Sequence, residues 1–253
     1  MRLTFIGILA LAINAFAGTI AQTEDASPGA DYHYGEIADP SLWPTSAVGA
    51  ITVLLSSDRR AICTGTLVAP NLVLTAAHCL FNGKELVKPG NVRFLAGLNK
   101  GVPGAYSVAE RFVISKEYAP GAWTPATAVT DWAVIVLVNA LSIKPVSVKA
   151  LTREQFRTVS NSGHVMQIGY GMERPYLPSI VPNCRVSEAP DDGAFVYQCL
   201  TNRGYSGAPI LAEIDRIPSV IGIGSGGKKE ERLGMACSAA QFEKAVTELM
   251  RSD

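Results

Sequence analysis

The feature that most limits how this chain can fold is a series of short apolar runs separated by turn residues. From residue 45 onward these runs are rich in Val, Ile, Leu and Thr, and Gly, Pro, Asn and Asp lie between them. Such runs, recurring about every ten residues, are typical of strands joined by tight turns. Many short strands at this spacing favour an all-β barrel or sandwich.

The predicted strands form two sets on either side of a connector over residues 141–162. The first set comprises residues 50–55, 62–68, 72–76, 92–95, 106–114 and 132–138. The second set comprises residues 164–168, 184–186, 195–200, 209–212 and 220–223. A C-terminal helix is predicted over 238–251, because Ser238 and Gln241 form a capping-box pattern before an apolar stripe.

Composition favours a well-buried globular protein. Hydrophobic residues make up 48% of the 253 residues and charged residues 17%, so enough apolar surface is available for a large core. The formal net charge is zero, so the chain lacks the excess of positive charge that would suggest a nucleic-acid partner.

The N-terminal segment is predicted to be a secretory signal followed by a propeptide or strap. Arg2 precedes an almost entirely apolar run, and small residues that suit cleavage follow it. We assign 1–21 to the signal and 22–43, which has five acidic residues and no Lys or Arg, to the propeptide or strap. A membrane anchor is the alternative, which the short apolar run disfavours. We expect an extracellular or periplasmic protein that has no membrane association after signal removal.

Residues 202–210 contain a serine with the surroundings of a nucleophile. Ser206 is flanked by Gly204 and Gly207 and followed by Pro209. A serine hydroxyl needs a general base, and the oxyanion that it creates needs backbone N–H donors. Gly204 suits this second need, because glycine adopts backbone angles that turn its N–H inward. An ordinary turn before a strand is the alternative for this stretch taken alone.

His78 and Asp131 are the candidate partners of this serine. His78 follows a predicted strand in the run Thr-Ala-Ala-His-Cys, and the chain has only three histidines. Asp131 heads an apolar run, where a buried carboxylate requires hydrogen-bond partners. An imidazole N–H is a suitable partner, and the carboxylate would stabilise the imidazolium formed in catalysis. A structural histidine and an aspartate that caps a turn are the alternatives.

Five cysteines in an exported chain predict disulfides. A bridge between Cys63 and Cys79 would hold the loop after the third predicted strand and contribute about 3 kcal/mol in the chain-entropy model. Cys184 and Cys199 flank a predicted hairpin and are expected to pair. Cys237 is left as a buried free thiol, or it displaces one of these partners, because spacing does not determine connectivity.

Three blocks taken together resemble the signature of one protein family. They are the histidine block at 75–79, Asp131 before an apolar strand, and Gly-Tyr-Ser-Gly-Ala-Pro at 204–209, in the order His, Asp, Ser. From about residue 47 to the C-terminus, the chain resembles the chymotrypsin-like (trypsin-fold) serine proteases. The α/β-hydrolases are excluded by order, because their triad runs Ser, acid, His.

The resemblance implies a role for each residue of these blocks. Ser206 would attack the scissile carbonyl, and His78 would take the proton and later return it to the leaving amine. Asp131 would hold His78 in the required tautomer. The N–H groups of Gly204 and Ser206 would form the oxyanion hole.

The resemblance also implies the fold. The expected architecture is all-β, with two antiparallel six-stranded Greek-key β-barrels in a trypsin-like fold and a C-terminal α-helix. The protease domain is expected over 44–253. Within it, the first barrel would span about 44–145, the second about 160–236 and the helix 238–251.

The chain departs from trypsin in the residues used for zymogen activation. Tyr205 stands where trypsin-type zymogens have an aspartate that pairs with the freed N-terminus, and no Lys or Arg lies between Arg2 and Arg59. The chain is more similar to the bacterial-type glutamyl-endopeptidase (V8-like) branch. That similarity is carried by residues 46–49, 63–67 and 220–227.

Substrate-binding residues are likewise implied by the resemblance. They are Leu200, Thr201, Arg203, Gly224, Ser225, Gly226 and Gly227. Residues 225–227 would pair with the substrate backbone as an added strand. Glutamate-specific members have a histidine at the position of Gly224, so specificity for Glu is not expected to follow. No acid lies at the pocket floor to bind Lys or Arg. Arg203 and Lys228–Lys229 either provide positive charge near the cleft or are solvated, and a neutral pocket is the alternative.

The sequence thus predicts a secreted serine endopeptidase that acts through an acyl-enzyme intermediate. Its partners would be protein or peptide substrates, and we expect a monomer that uses no cofactor and no metal. The rival prediction is a catalytically weak, protease-like secreted binding protein. Hydrolysis of small esters by the same site is a third possibility.

Overall fold

The structure, a computed structural model, describes residues 35–188, 193–199, 202–228 and 233–252. The predicted signal at 1–21 and most of the segment 22–43 lie outside this part of the chain. Residues 36–37 of that segment pair with residues 179–180 of the body.

The N-terminal half has ten described strands, of which six agree with the predicted ones to within a few residues and four two-residue strands were not predicted. They are β1 (Glu36–Ile37), β2 (Val48–Leu54), β3 (Arg60–Ala69), β4 (Leu72–Thr75), β5 (Phe81–Asn82), β6 (Glu85–Leu86), β7 (Val92–Ala96), β8 (Ala105–Ile114), β9 (Ala133–Leu137) and β10 (Ser147–Val148). Six of them close into a barrel in the order β2-β3-β4-β9-β8-β7. Every pairing in this barrel is antiparallel, and β5 and β6 form a separate small hairpin.

In its described residues, the second half forms a sheet rather than a second closed barrel. Its strands are β11 (Val165–Gly169), β12 (Ser179–Val181), β13 (Arg185–Glu188), β14 (Ala194–Gln198), β15 (Pro209–Ile214), β16 (Ile217–Lys228) and β17 (Leu233–Ser238). The order is β1-β12-β11-β15-β16-β17-β14-β13, and β10 pairs with β16 in parallel.

One edge of this sheet lies at β13. Cys184 N donates a backbone hydrogen bond to Val165 O at 2.7 Å, which brings the start of β13 beside the start of β11. Among the described residues no ladder of strand pairing continues from that bond. The all-β, trypsin-like fold with its C-terminal helix is confirmed, and the second expected barrel is a nine-stranded open sheet.

Two helices complete the fold, α1 (Arg153–Ser162) and α2 (Glu243–Ser252). The region of α1 was predicted to be part of a connector, although Thr152 and Gln155 form a capping box at its start. Ser238 caps a single 3₁₀ turn before α2, so the regular helix begins later than residue 238. Neither helix, nor any other in the described ranges, has the length and apolar character needed to cross a bilayer.

The C-terminal helix is attached to the first barrel. Phe242 and Val246 are buried in the same core cluster as the barrel residues. The Phe242 ring lies 6.3 Å from that of Trp132, centroid to centroid. The chain therefore returns to its first half after the second sheet, which fixes the two halves against each other.

Replacing Phe242 with Ala is expected to lower the free energy of unfolding by about 3–5 kcal/mol, because the change leaves a large cavity. Equilibrium urea unfolding measures it. The control Met250→Ala truncates a side chain of α2 that is 44% exposed and should change stability by less than about 0.5 kcal/mol. Equal effects of both substitutions would contradict the docking of this C-terminal segment.

Candidate active site

Strand register brings the histidine and aspartate blocks together. Thr75, the last residue of β4, pairs with Ala133, the first residue of β9. The segment that follows β4 and the segment that precedes β9 therefore leave the barrel at the same end. His78 lies in the first of these segments and Asp131 in the second.

Asp131 is buried and accepts three hydrogen bonds. The backbone N–H of His78 donates to Oδ1 at 2.9 Å, and Nδ1 of the same residue lies 2.7 Å from Oδ2. Ser225 Oγ donates to Oδ2 at 2.5 Å. The residue is only 2% exposed, so these bonds replace the water that a carboxylate otherwise requires.

Ser206 lies on a sharply turned loop just before β15. Gly204 and Gly207 flank it with φ values of +98° and +77°, which are in the left-handed region that glycine tolerates. Ser206 is partly exposed, whereas Tyr205 beside it is buried. The cleft is lined by His78, Asp131 and Ser206, so the three residues of the predicted triad meet there.

A buried threonine links the loop that carries Ser206, called the serine loop, to the first barrel by hydrogen bonds. Thr64 N donates to Ser206 O at 2.9 Å, and its hydroxyl donates to Gly204 O at 2.8 Å. That hydroxyl also accepts from Tyr170 N at 2.9 Å, and Thr75 Oγ1 donates to Thr64 O at 2.8 Å. These bonds fix the position of the serine loop relative to β3 and β4.

Both expected disulfides are present. Cys63 pairs with Cys79, and Cys184 pairs with Cys199, while Cys237 is a buried free thiol. The first bridge links β3 to the turn that carries His78. The sulfurs of Cys63 and Cys79 lie close to this imidazole but are bonded to each other, so they are not available as thiolate ligands for a metal.

The cleft has a volume of about 320 Å³ and lies between the two halves. It is lined by His78, Tyr118, Ala119, Gly121, Ala122, Trp123, Thr127, Asp131, Asn202, Arg203, Ser206, Ser225, Gly226 and Gly227. Four of the predicted substrate-binding residues, Arg203 and 225–227, therefore line it. Leu200 and Thr201 lie outside the described residues.

Gly224 lies behind the lining of this cleft. A Cβ at this position would be 2.9 Å from the hydroxyl oxygen of buried Tyr197. Burial raises the pKa of Tyr197, so this hydroxyl is neutral. The position at which glutamate-specific members have a histidine, Gly224 in this chain, therefore faces the neutral phenol of Tyr197.

Burial and the charge of Asp131 also affect two neighbouring groups. Burial, and to a lesser extent the negative charge of Asp131, raise the pKa of Tyr118 to about 12. The same causes raise the pKa of the Cys237 thiol well above its ordinary value. Cys237 donates to Val129 O at 3.2 Å, and it remains an unreactive, protonated thiol.

A family model described as Trypsin matches residues 44–246, most of the chain and all of the residues that line the cleft. The chain belongs to the trypsin family. Its structure is similar to that of a Glu endopeptidase, with a TM-score of 0.67 and 18% sequence identity, over 89% of this chain and 99% of the other. It is also similar to the VesB protease of Vibrio cholerae, with a TM-score of 0.64 and 18% identity, over 87% of this chain and 68% of that protein.

At these identities the structural similarities show the fold. It is the fold that the resemblance to trypsin-fold proteases implied. A shorter segment of 38 residues is 55% identical to the Mus musculus protein named Inactive serine protease 35. It covers 15% of this chain and 9% of the length of that relative.

Sequence reasoning missed two kinds of residue in this trypsin-family site. Thr64 lies in the Cys-Thr-Gly-Thr-Leu stretch, and the apolar pattern around it gave no sign that its hydroxyl faces the serine loop. Tyr118 and Trp123 lie in the segment between β8 and β9, for which no strand or helix was predicted. Only the folded chain brings that segment to the cleft.

Gly204→Ala is expected to destabilise the protein by about 2 kcal/mol or more, because the new Cβ would clash with the carbonyl oxygen of Tyr170 at a left-handed φ. Urea unfolding measures the change. Gly121→Ala is the matched control, since no atom lies within 4 Å of its added Cβ. Equal stability of the two variants would show that Gly204 is not held in this geometry.

Proposed function

We propose that this chain is a secreted serine endopeptidase that hydrolyses peptide bonds through an acyl-enzyme intermediate. The observation that carries the proposal is the hydrogen-bonded pair of His78 and Asp131 in the cleft that Ser206 also lines. Trypsin-family membership supports the same reaction class.

The imidazole of His78 is the general base. Its Nδ1 lies 2.7 Å from Asp131 Oδ2, so Nδ1 carries the proton and Nε2 is the free acceptor in the neutral ring. Nε2 takes the hydroxyl proton of Ser206 as Oγ attacks the carbonyl carbon. The buried carboxylate then stabilises the imidazolium.

The serine loop supplies the oxyanion hole. Negative charge on the former carbonyl oxygen is stabilised by the backbone N–H groups of Gly204 and Ser206. Collapse of the tetrahedral intermediate breaks the C–N bond, and His78 protonates the leaving amine. Water then attacks the acyl-enzyme in the same way, which releases the new carboxylate and restores Ser206.

The charges of the cleft support a neutral primary specificity pocket. Within the described lining, Asp131 is buried against His78 and Ser225, so it is not a free partner for a basic side chain. Arg203 is exposed at the rim. Tyr197 presents a neutral hydroxyl behind Gly224. An acidic side chain of the substrate would therefore meet a neutral group there and not a cation.

Two disulfides support secretion, because such bonds persist in oxidising compartments. The substrates would be proteins or peptides, and the enzyme would act as a monomer. The second candidate is a protease-like binding protein with little turnover. This candidate is favoured by the similarity of a 38-residue segment to the protein named Inactive serine protease 35.

A peptide library tests the proposal, with protein that lacks residues 1–21. We expect cleavage by the wild type and a loss of at least about 10⁴-fold in Ser206→Ala, because the nucleophile is absent. Mass spectrometry of the products gives the rates and the residue that precedes each cut, which we expect to be uncharged.

Ser187→Ala is the matched control, since Ser187 is an exposed serine on β13. It should cleave as the wild type does. A folded wild type that neither cleaves the library nor reacts at Ser206 with a peptidyl phosphonate would favour the binding protein.

A further inference from the structure

We propose that Thr64 is a positioning residue of this site, an inference that rests on the proposed function. Its buried hydroxyl would hold the serine loop so that the N–H groups of Gly204 and Ser206 keep the orientation that stabilises the oxyanion. Thr64 does not line the cleft, and it acts through the backbone of this loop. Three observations carry the inference: the direction of the hydrogen bonds of the hydroxyl, the way the peptide units around Gly204 are held, and the fixed position of Thr64.

The partners of the Thr64 hydroxyl determine the direction of its hydrogen bonds. Tyr170 N lies 2.9 Å from Thr64 Oγ1 and only donates, whereas Gly204 O lies 2.8 Å away and only accepts. The hydroxyl therefore accepts from the first and gives its single proton to the second. Because Thr64 is fully buried, bulk water does not compete for either bond.

The hydroxyl holds the peptide unit that joins Gly204 to Tyr205. The carbonyl oxygen of this unit accepts from Thr64 Oγ1, and its N–H, that of Tyr205, donates to Asn202 O at 3.2 Å. Both polar groups of this planar unit are thus bonded, which defines its orientation. Removal of the hydroxyl would leave the buried carbonyl of Gly204 without this donor, so the unit would rotate toward another one.

The peptide unit that joins Arg203 to Gly204 is held by a segment that Thr64 also contacts. Its carbonyl, Arg203 O, accepts from Met172 N at 2.8 Å. The C=O and N–H groups point in opposite directions across a trans peptide, so this bond directs the Gly204 N–H away from Met172. Met172 is two residues after Tyr170, whose N–H the Thr64 hydroxyl binds. Loss of the hydroxyl would therefore loosen the peptide units on both sides of Gly204.

The N–H groups of Gly204 and Ser206 remain available for an oxyanion, because neither donates a hydrogen bond to another described residue. The carbonyl of Ser206 accepts from Thr64 N at 2.9 Å. The N–H of Gly207, in the same peptide unit, donates to Gly224 O at 2.7 Å. Thr64 thus binds the carbonyls of both residues whose N–H groups would contact the oxyanion, one through its backbone and one through its hydroxyl.

The position of Thr64 is fixed by the first barrel. Thr64 lies in β3, where it pairs with Ala50 of β2. Its carbonyl accepts from Thr75 Oγ1 at 2.8 Å. As a β-branched residue it also has a restricted choice of side-chain rotamers. The hydroxyl is therefore held in one place relative to the barrel, and it transfers this fixed position to the serine loop.

The contribution of Thr64 should appear in the chemical step. The oxyanion exists only in the transition state and the tetrahedral intermediate, so a misdirected N–H group weakens the binding of these species more than the binding of substrate. Loss of the hydroxyl should therefore lower kcat and leave KM almost unchanged.

Thr64→Val tests the inference, because valine keeps the shape of the side chain and lacks the hydroxyl. With the library peptide that the wild type cleaves fastest, we expect kcat to fall at least about tenfold while KM stays within about threefold of wild type. Thr66→Val is the matched control. Thr66 is a fully buried threonine of the same strand, and its hydroxyl has no hydrogen-bond partner among the described residues, so kcat should stay within about twofold of wild type.

A peptidyl trifluoromethyl ketone gives a readout that a loss of stability alone would not change. Its peptide part is that of the fastest library substrate. Ser206 Oγ bonds to the carbonyl carbon, the hydroxyl proton passes to His78 Nε2, and the carbonyl oxygen becomes an oxyanion; the corresponding alcohol binds without this reaction. We expect Thr64→Val to weaken inhibition by the ketone at least about tenfold and inhibition by the alcohol less than about twofold.

Thr64→Ser and Thr64→Ala isolate the hydroxyl a second time, and this pair decides the matter if Thr64→Val does not fold. The two variants differ only in the oxygen atom. The serine variant should have at least about tenfold the kcat of the alanine variant. Equal kcat values in the two folded proteins would overturn the role of the hydroxyl.

The outcomes distinguish this inference from the proposed function. If folded Thr64→Val keeps the wild-type kcat and ketone inhibition while Ser206→Ala is inactive, the role of Thr64 is overturned and the protease remains. An equal fall in kcat for Thr66→Val would assign the effect to packing of the strand and would also overturn it. If the folded wild type cleaves no peptide of the library, the proposed function fails and the inference fails with it.

Discussion

A single buried carboxylate is the interaction on which the rest of this structure depends. Asp131 belongs to the first barrel, but one of its three donors, Ser225, comes from the second sheet. A carboxylate that is 2% exposed is tolerated only when hydrogen bonds replace its hydration. The two halves must therefore meet correctly for this charge to be accommodated, and the same requirement places His78 in the cleft.

The position of the serine loop also depends on contact between the two halves, because this loop of the second half is held by residues of the first barrel. Ser206 and Gly204 come from the second half of the chain, yet their backbone oxygens accept from Thr64 in the first barrel. Gly207 has no room for a Cβ, because Thr64 O and Thr75 Oγ1 occupy that space. Close approach of the two halves thus explains the glycine at 207 and fixes the backbone of the serine loop, whereas a Cβ at Gly204 would meet the carbonyl oxygen of Tyr170 within the second half.

Much of the fold was readable from the sequence, because barrel strands have a strong local pattern. The runs that became β2 to β4 and β7 to β9 were all predicted, and so were both disulfides. Helix α1 was missed because its cap at Thr152 was not recognised within a polar connector. The open sheet in place of a second barrel depends on where β13 meets β11, which is set by long-range contacts. For the site, short motifs identified His78, Asp131 and Ser206, whereas the hydrogen bond that Trp123 donates to Ser225 joins residues 102 positions apart and has no local sequence pattern.

We propose that the buried pair of Asp131 and His78 activates Ser206, and Asp131→Asn is the most direct test of this activation. The amide keeps the size of the side chain but removes its charge and favours the wrong imidazole tautomer. We predict that the single-turnover acylation rate with a cleaved peptide falls about 10⁴-fold, while the exposed control Asp58→Asn acylates at the wild-type rate. A folded Asp131→Asn protein that acylates within about tenfold of wild type would show that the charge of Asp131 does not activate Ser206.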